Sequence, residues 1–251
     1  MPEPKTGPGA EPPPRRGFLK QAAVAAGAAA ASGLAAAAEP APKPATAAPS
    51  TAHSDKLIER PGSDFMIDVI RKLDIDYIST NPGSSFRSLH ESLVNYGGNK
   101  KPELLTCLHE ESAVAMAHGY AKASGKLMGV FLHGTVGLQH AAMAIYNAWV
   151  DRVPVLMIAG NGIDANKRRP GTEWNHSVQD AAAMVRDFVK WDDAPGSLQH
   201  FAESTVRAYK IATTPPMEPV LVMADIDLLE DAIHGPRAHH PQAVAQHSGH
   251  G

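Results

Sequence analysis

The run Leu104-Leu105-Thr106-Cys107-Leu108-His109-Glu110-Glu111-Ser112-Ala113 continues through Gly119-Tyr120-Ala121 to Ser124-Gly125-Lys126, and its reading decides the fold. Leu104 to Leu108 is a short apolar run without polar–apolar alternation, as expected of a strand covered on both faces. Glu110 to Ser124 has helical spacing, with acidic residues in its first turn and Gly125 placed to stop it. Gly129 to Leu132 predicts another buried strand. Strand, helix and strand follow one another within about thirty residues, the size of a βαβ unit.

Outward from this segment the same alternation repeats. Upstream, Asp64 to Lys72 predicts a helix with Phe65, Val69 and Ile70 on one side. Asp76 to Ser79 predicts a strand, ended by the turn cluster Asn81-Pro82-Gly83-Ser84 with Ser84 available as a cap for a helix over Phe86 to Tyr96. Downstream, helices are expected over Leu138 to Trp149, near Val178 to Phe188 and over Ala202 to Thr213, with strands at Val153 to Ala159 and Val220 to Ala224. The fold class is therefore α/β, a three-layer domain with a mainly parallel sheet between helices.

This pattern occupies only part of the 251 residues. Residues 1–55 are mostly Ala, Pro, Gly and Ser, too small to build a core. Arg15-Arg16-Gly17-Phe18-Leu19-Lys20 precedes a weakly apolar Ala-rich stretch, the order of an export signal. It resembles the twin-arginine type, which implies a periplasmic destination for a protein that folds before export. Cleavage after Ala38 suits the small residues Ala36 and Ala38. The stretch is too weakly hydrophobic for a stable membrane span. The expected divisions are a signal at 1–38, a Pro/Ala-rich linker at 39–55, one domain at 56–232 and a His-rich tail at 233–251. The tail histidines His239, His240, His247 and His250 match no closed zinc spacing. Net charge is −3 without a basic cluster among aromatics, so nucleic acid is not an expected partner. Cys107 is the single cysteine, which excludes an internal disulfide.

Ligands of parallel sheets bind beyond the carboxyl ends of the strands. Three predicted strand ends carry polar groups there: Asn81-Pro82-Gly83-Ser84, His109-Glu110-Glu111 and His133-Gly134-Thr135. Each has a plain alternative, namely a turn, a helix-dipole preference for Glu, and a structural His. His176, Gln179 and Asp180 lie on a loop that could reach the same edge, but they read better as loop and cap residues. Ala113, Ala117 and Ala121 form a stripe of small side chains that suits either internal packing or a subunit interface.

Taken together and in order, these blocks resemble the pyrimidine-binding domain of thiamine diphosphate (thiamine pyrophosphate) enzymes such as acetolactate synthase and benzoylformate decarboxylase. The matching stretches also include His118-Gly119-Tyr120-Ala121, Tyr146-Asn147-Ala148-Trp149, Val153-Pro154-Val155, Phe188-Val189-Lys190-Trp191 and Glu218-Pro219-Val220-Leu221-Val222. By motif position the resemblance implies that Glu110 binds N1′ of the cofactor's aminopyrimidine, with Asn81, Pro82 and Gly83 as further cofactor-binding residues. It implies a proton-relaying catalytic role for His133 and a substrate-carboxylate contact for Ser84, hence 2-oxo acid decarboxylation or carboligation. Gly134-Thr135 departs from the Ser-Ala of the decarboxylase branch. The chemistry requires a carboxyl group: sharing a proton with N1′ shifts the ring towards an imino tautomer whose 4′-nitrogen accepts the C2 proton. Partial burial is expected to poise Glu110 near neutrality.

The family holds the cofactor diphosphate through Mg²⁺ with a Gly-Asp-Gly segment followed by Asn-Asn. No Gly-Asp-Gly occurs in these residues. The expectation is that a separate diphosphate-binding subunit supplies the Mg²⁺ site, in a homo- or hetero-oligomer. The alternatives are a non-catalytic remnant acting as a binding or regulatory module, or a truncated gene product. A nucleotide-binding flavodoxin-like protein is disfavoured because no Gly-rich phosphate loop opens a helix.

Overall fold

The computed structural model describes residues 60–162, 164 and 176–233. The chain divides into two units, Met1–Lys56 and Leu57–Gly251, and the described residues fall in the second. The expected signal and linker lie outside the described residues, as does the tail beyond Ile233.

In chain order the elements are α1 (Gly62–Ile70), β1 (Tyr77–Thr80), a 3-10 turn (Ser84–Phe86), α2 (Arg87–Glu91), a π turn (Ser92–Tyr96) and β2 (Glu103–Thr106). Next come α3 (Glu110–Ser124), β3 (Met128–His133), α4 (Thr135–Val150) and β4 (Val155–Asn161). Two 3-10 turns (Ala182–Met184 and Arg186–Phe188) lead to β5 (Trp191–Asp193), α5 (Leu198–Thr213), β6 (Val220–Asp225) and α6 (Ile226–Glu230). The strands form one six-stranded sheet, order β2-β1-β3-β4-β6-β5. Every pairing is parallel.

The apolar runs lack alternation because both faces of the sheet are covered. On β3, Met128, Val130 and Leu132 pack with Ala113 and Ala117 of α3 and Leu138 and Ile145 of α4. Phe131, between them, points to the other layer, where Ile67 of α1 and Phe201 of α5 are fully buried. β4 divides likewise, Met157 to the first layer and Ile158 to the second. Period-two geometry thus sends successive apolar residues into two cores. The segment's two ends meet, since Gly62 N–H donates to the Asp231 carbonyl (3.0 Å) and Ile233 N–H to that of Arg60 (2.9 Å).

Several expectations change. The alanine stripe of α3 faces this domain's own core, which decides for internal packing. Phe86 to Tyr96 is not one helix but a 3-10 turn, a short α-helix and a π turn, and Ser84 lies inside that first turn rather than capping it. The helix expected near Val178 to Phe188 is replaced by 3-10 turns. There Asp180 accepts the Ala183 N–H, and Arg186 bridges Asp180 and Asp192, so local side-chain bonds compete with helix propagation. β5 and α6 have no counterpart in the sequence pattern, because three and five residues are too few to display a period. Leu108, read as the end of a strand, lies beyond β2 and is 97 % exposed.

Asp76, just before β1, gathers Lys126, Lys101 and Tyr120 around one carboxylate. Hydrogen bonds from Lys126 and then Lys101 hold its carboxyl down at about 2, against the opposing effect of burial. A depressed acid stabilises the fold above its unfolded value of 3.8 and loses that contribution as pH falls through about 2. Asp76→Asn should therefore flatten the acid limb of a stability-versus-pH curve over that interval, and 1 M salt should shrink the difference. Identical acid limbs for variant and wild type would show that the cluster contributes nothing.

Candidate active site at the carboxyl edge of the sheet

β1 lies between β2 and β3, so the segments that leave these three strands emerge side by side. The expected blocks Asn81–Ser84, His109–Glu111 and His133–Thr135 are thereby brought to one edge. Two hydroxyls of β1 fix the arrangement. Thr80 Oγ1 donates to the Phe131 carbonyl of β3 (2.9 Å), and Ser79 Oγ to the Ala113 carbonyl of α3 (2.7 Å). The latter pins the first turn of α3, and with it Glu110, against the sheet. His109 is the N-cap; its Nδ1 accepts the Glu111 N–H at 3.2 Å.

Glu110 is the buried acid of this edge, 3 % exposed. Its Oε2 lies 3.1 Å from Nδ1 of His140, an exposed residue on the second turn of α4. The His140 ring stacks on that of His109, with centroids 4.8 Å apart. Burial pushes the Glu110 carboxyl up. The His140 hydrogen bond, a backbone N–H and the Asn81 amide outweigh it, and the group ends below the ordinary Glu value. The expectation of a carboxyl poised near neutrality is thus not met in the free chain. Pro82 is exposed, whereas Asn81, Gly83 and Ser84 are partly buried.

His133 ends β3 beside this acid, and its Nδ1 pairs with Ser85 Oγ at 2.9 Å. The same hydroxyl accepts the Gly134 N–H at 3.3 Å. Ser85, not Ser84, is therefore the serine that reaches the imidazole. Adjacent serines are equivalent in sequence, and only the twist of the 3-10 turn distinguishes them. Burial, and secondarily the neighbouring His176, lower the His133 pKa, while Glu110 opposes them. A lowered value keeps the ring neutral near pH 7.

His176, read from sequence as a loop residue, lies at this edge. Its ring centroid is 4.9 Å from that of His133, and its Nδ1 is buried without a hydrogen-bond partner. Thr135 Oγ1 holds the loop there through the His176 carbonyl (2.6 Å). Sequence reasoning also missed His140; the signal was its place on the helix that follows His133. A separate cleft of about 230 Å³, lined by Asn161, Asp225 and Asp227 among others, opens beside β4 and β6, and none of the expected residues line it.

Close approach at this edge depends on two glycines. Gly83 has extended backbone, φ −147°, that any residue adopts, so its requirement is space. A Cβ there would lie 2.3 Å from the His133 ring. At Gly160 a Cβ would lie 2.0 Å from the Ser85 carbonyl oxygen. Both absences let the 84–86 turn settle over the strand ends.

The fold and site define a parallel α/β domain that presents a buried carboxylate and a neutral imidazole at the carboxyl edge of its sheet. Comparison with known proteins makes the class specific. Residues 60–184 match the family described as "Thiamine pyrophosphate enzyme, N-terminal TPP binding domain". Benzoylformate decarboxylase of Pseudomonas aeruginosa is 32 % identical over 120 residues, which are 48 % of this chain and 22 % of that protein. Acetolactate synthase of Bacillus subtilis is 23 % identical across 65 % of this chain and 27 % of that protein. Among solved structures, one described as a "putative thiamin diphosphate-dependent enzyme isolated from Mycobacterium smegmatis" superposes with a TM-score of 0.61 at 28 % identity, covering 71 % of this chain and 33 % of that one. Benzoylformate decarboxylase from Polynucleobacter necessarius, at 24 % identity, shares the fold with a TM-score of 0.60 over 70 % of this chain and 32 % of that one. Residues 60–184 thus belong to the N-terminal TPP binding domain of the thiamine pyrophosphate enzymes, with acetolactate synthases and benzoylformate decarboxylases as homologues. The chain spans between about a fifth and a third of the length of these relatives.

Gly83→Ala should force His133 off Ser85 and destabilise the fold by about 1–3 kcal/mol, as overpacking does. Urea denaturation measures the loss, and the His133 ring resonances report the displacement. Unchanged values for both would contradict the close approach.

Proposed function

We propose that this chain contributes Glu110 to the aminopyrimidine of thiamine diphosphate, as part of a decarboxylase or carboligase acting on 2-oxo acids. The observation that carries the reading is the buried Glu110 carboxylate, held beside Asn81 and His133 within the segment that matches the family. Once bound, the cofactor supplies an acidic thiazolium carbon that serves as nucleophile and electron sink.

The donor set suits the group. A carboxylate oxygen shielded from bulk water can share a proton with a ring nitrogen, and Asn81 orients it. In the free chain His140 covers that oxygen and is the foremost hydrogen bond lowering the carboxyl. Turning His140 aside both opens Glu110 and removes that contact, which lets burial raise the acid towards the range where it exchanges protons. His133, which pairs with Ser85, would hold or pass a proton beside a substrate carboxylate. Ser84 would supply the hydroxyl to that carboxylate, with Asn81, Pro82 and Gly83 as the cofactor-binding residues next to Glu110.

The proposal includes a separate diphosphate-binding subunit that would hold the Mg²⁺ and the cofactor's diphosphate beside this edge. Met143, Tyr146 and Val150 are exposed on one face of α4, and Leu108 precedes α3; an apolar surface of this kind supports a partner. Export by the twin-arginine route would carry the folded assembly to the periplasm. Among the described residues no helix is long and apolar enough to cross a membrane.

In the complex that co-purifies with the native protein, Glu110→Gln should keep cofactor binding within about tenfold and lower kcat by about 10²–10⁴-fold, the usual worth of acid–base catalysis. Full turnover by the variant would refute the role. Failure of the complex to take up thiamine diphosphate, measured by calorimetry, would favour the non-catalytic binding module.

A further inference from the structure

We propose that His109, Glu110 and His140 bind a divalent transition-metal ion, with Zn²⁺ as the best-suited candidate, at the amino end of α3. One donor atom from each residue lies within 4.8 Å of the others. The site shares Glu110 with the function proposed above but does not depend on it.

The donors are two imidazoles and one carboxylate, a set that catalytic zinc centres use together with an open position. Such mixed nitrogen and oxygen donors select Zn²⁺, Cu²⁺, Ni²⁺ or Co²⁺ over Mg²⁺ and Ca²⁺, which require oxygen. The geometry is partly formed. Zn–N and Zn–O bonds of about 2.0–2.2 Å place neighbouring donors roughly 3.3 Å apart in a tetrahedral site. His140 Nδ1 and Glu110 Oε2 are already 3.1 Å apart. Glu110 is buried, whereas both imidazoles are exposed. Their near-parallel stacking, with an interplanar angle of 23°, keeps the two rings adjacent, and a rotation of at least one of them is needed to bring both in-plane lone pairs onto one ion.

Two adjustments are needed. His109 Nδ1 now accepts the Glu111 N–H, so His109 must release that cap and turn a ring nitrogen to the ion. His140 must give up its hydrogen bond to Oε2, which the ion replaces with a bond to each partner. A neutral cap contact is small beside a metal–ligand bond. The ion and an aminopyrimidine would claim the same carboxylate oxygen, so the chain carries one or the other.

The test uses the full chain, stripped of metal and titrated with Zn²⁺ alone against a chromophoric chelator. Wild type should bind one equivalent more tightly than the rest. His140→Ala and His109→Ala should each weaken that equivalent by more than about 100-fold, because outer-shell partners alone are worth 10–100-fold. His239→Ala/His240→Ala, in the His-rich tail, should leave it intact. Circular dichroism checks that the variants fold, and Co²⁺ absorption should report the same ligands. Persistence of the tight equivalent in His140→Ala, or its loss in the tail variant, overturns the proposal. Because no thiamine is present, a Glu110→Gln complex that retained full turnover would sink the proposed function and leave this site standing.

Discussion

A carboxylate placed in a protein interior is unstable unless hydrogen bonds replace the water it loses. Glu110 is such a group, and the carboxyl edge of the domain is arranged around it. Its partners come from three places: the backbone at the start of α3, Asn81 after β1 and His140 on α4. They meet only if α3 sits at one depth and angle on the sheet. The Ser79 hydroxyl, bonded to the Ala113 carbonyl, sets the depth. Ala113 and Ala117 then let the helix press onto β3 and α4 without larger side chains between them. A purely structural preference for small residues therefore serves the placement of a charge.

The neighbouring imidazole follows the same logic with the opposite sign. Burial disfavours a charged His133, and the Ser85 hydroxyl gives its neutral ring an oriented partner. That contact needs the 84–86 turn to lie over the strand ends, which Gly83 and Gly160 permit by having no Cβ. An acid held ionised and an imidazole held neutral thus share one edge. The first owes its state to hydrogen bonds and the second to desolvation. His140 and His176 extend the group to four imidazole or carboxylate side chains contributed by four separate segments.

The two-layer core holds the strands beneath this edge in place. Successive residues of β3 and β4 enter different cores, so the central strands are locked from both sides. The loops beyond them are correspondingly constrained at their origins. The exposed apolar residues of α4 lie outside both cores, on the side of the domain that contributes His140.

Much of this was legible in the chain of residues. Apolar runs without alternation implied a sheet covered on both faces, and Glu110 to Ser124 with Gly125 behind it delimited α3, because period and capping are local properties. The three polar blocks were legible for the same reason, each lying directly after a strand. Tertiary structure alone decided the rest. Which of Ser84 and Ser85 meets His133 depends on the twist of one short turn, and whether the alanine stripe faces inward depends on where α4 packs. That His140 covers Glu110, lowering rather than raising its carboxyl, follows from two helices being side by side. Local periodicity is written in neighbours along the chain, whereas the charge state of a buried acid is set by neighbours in space.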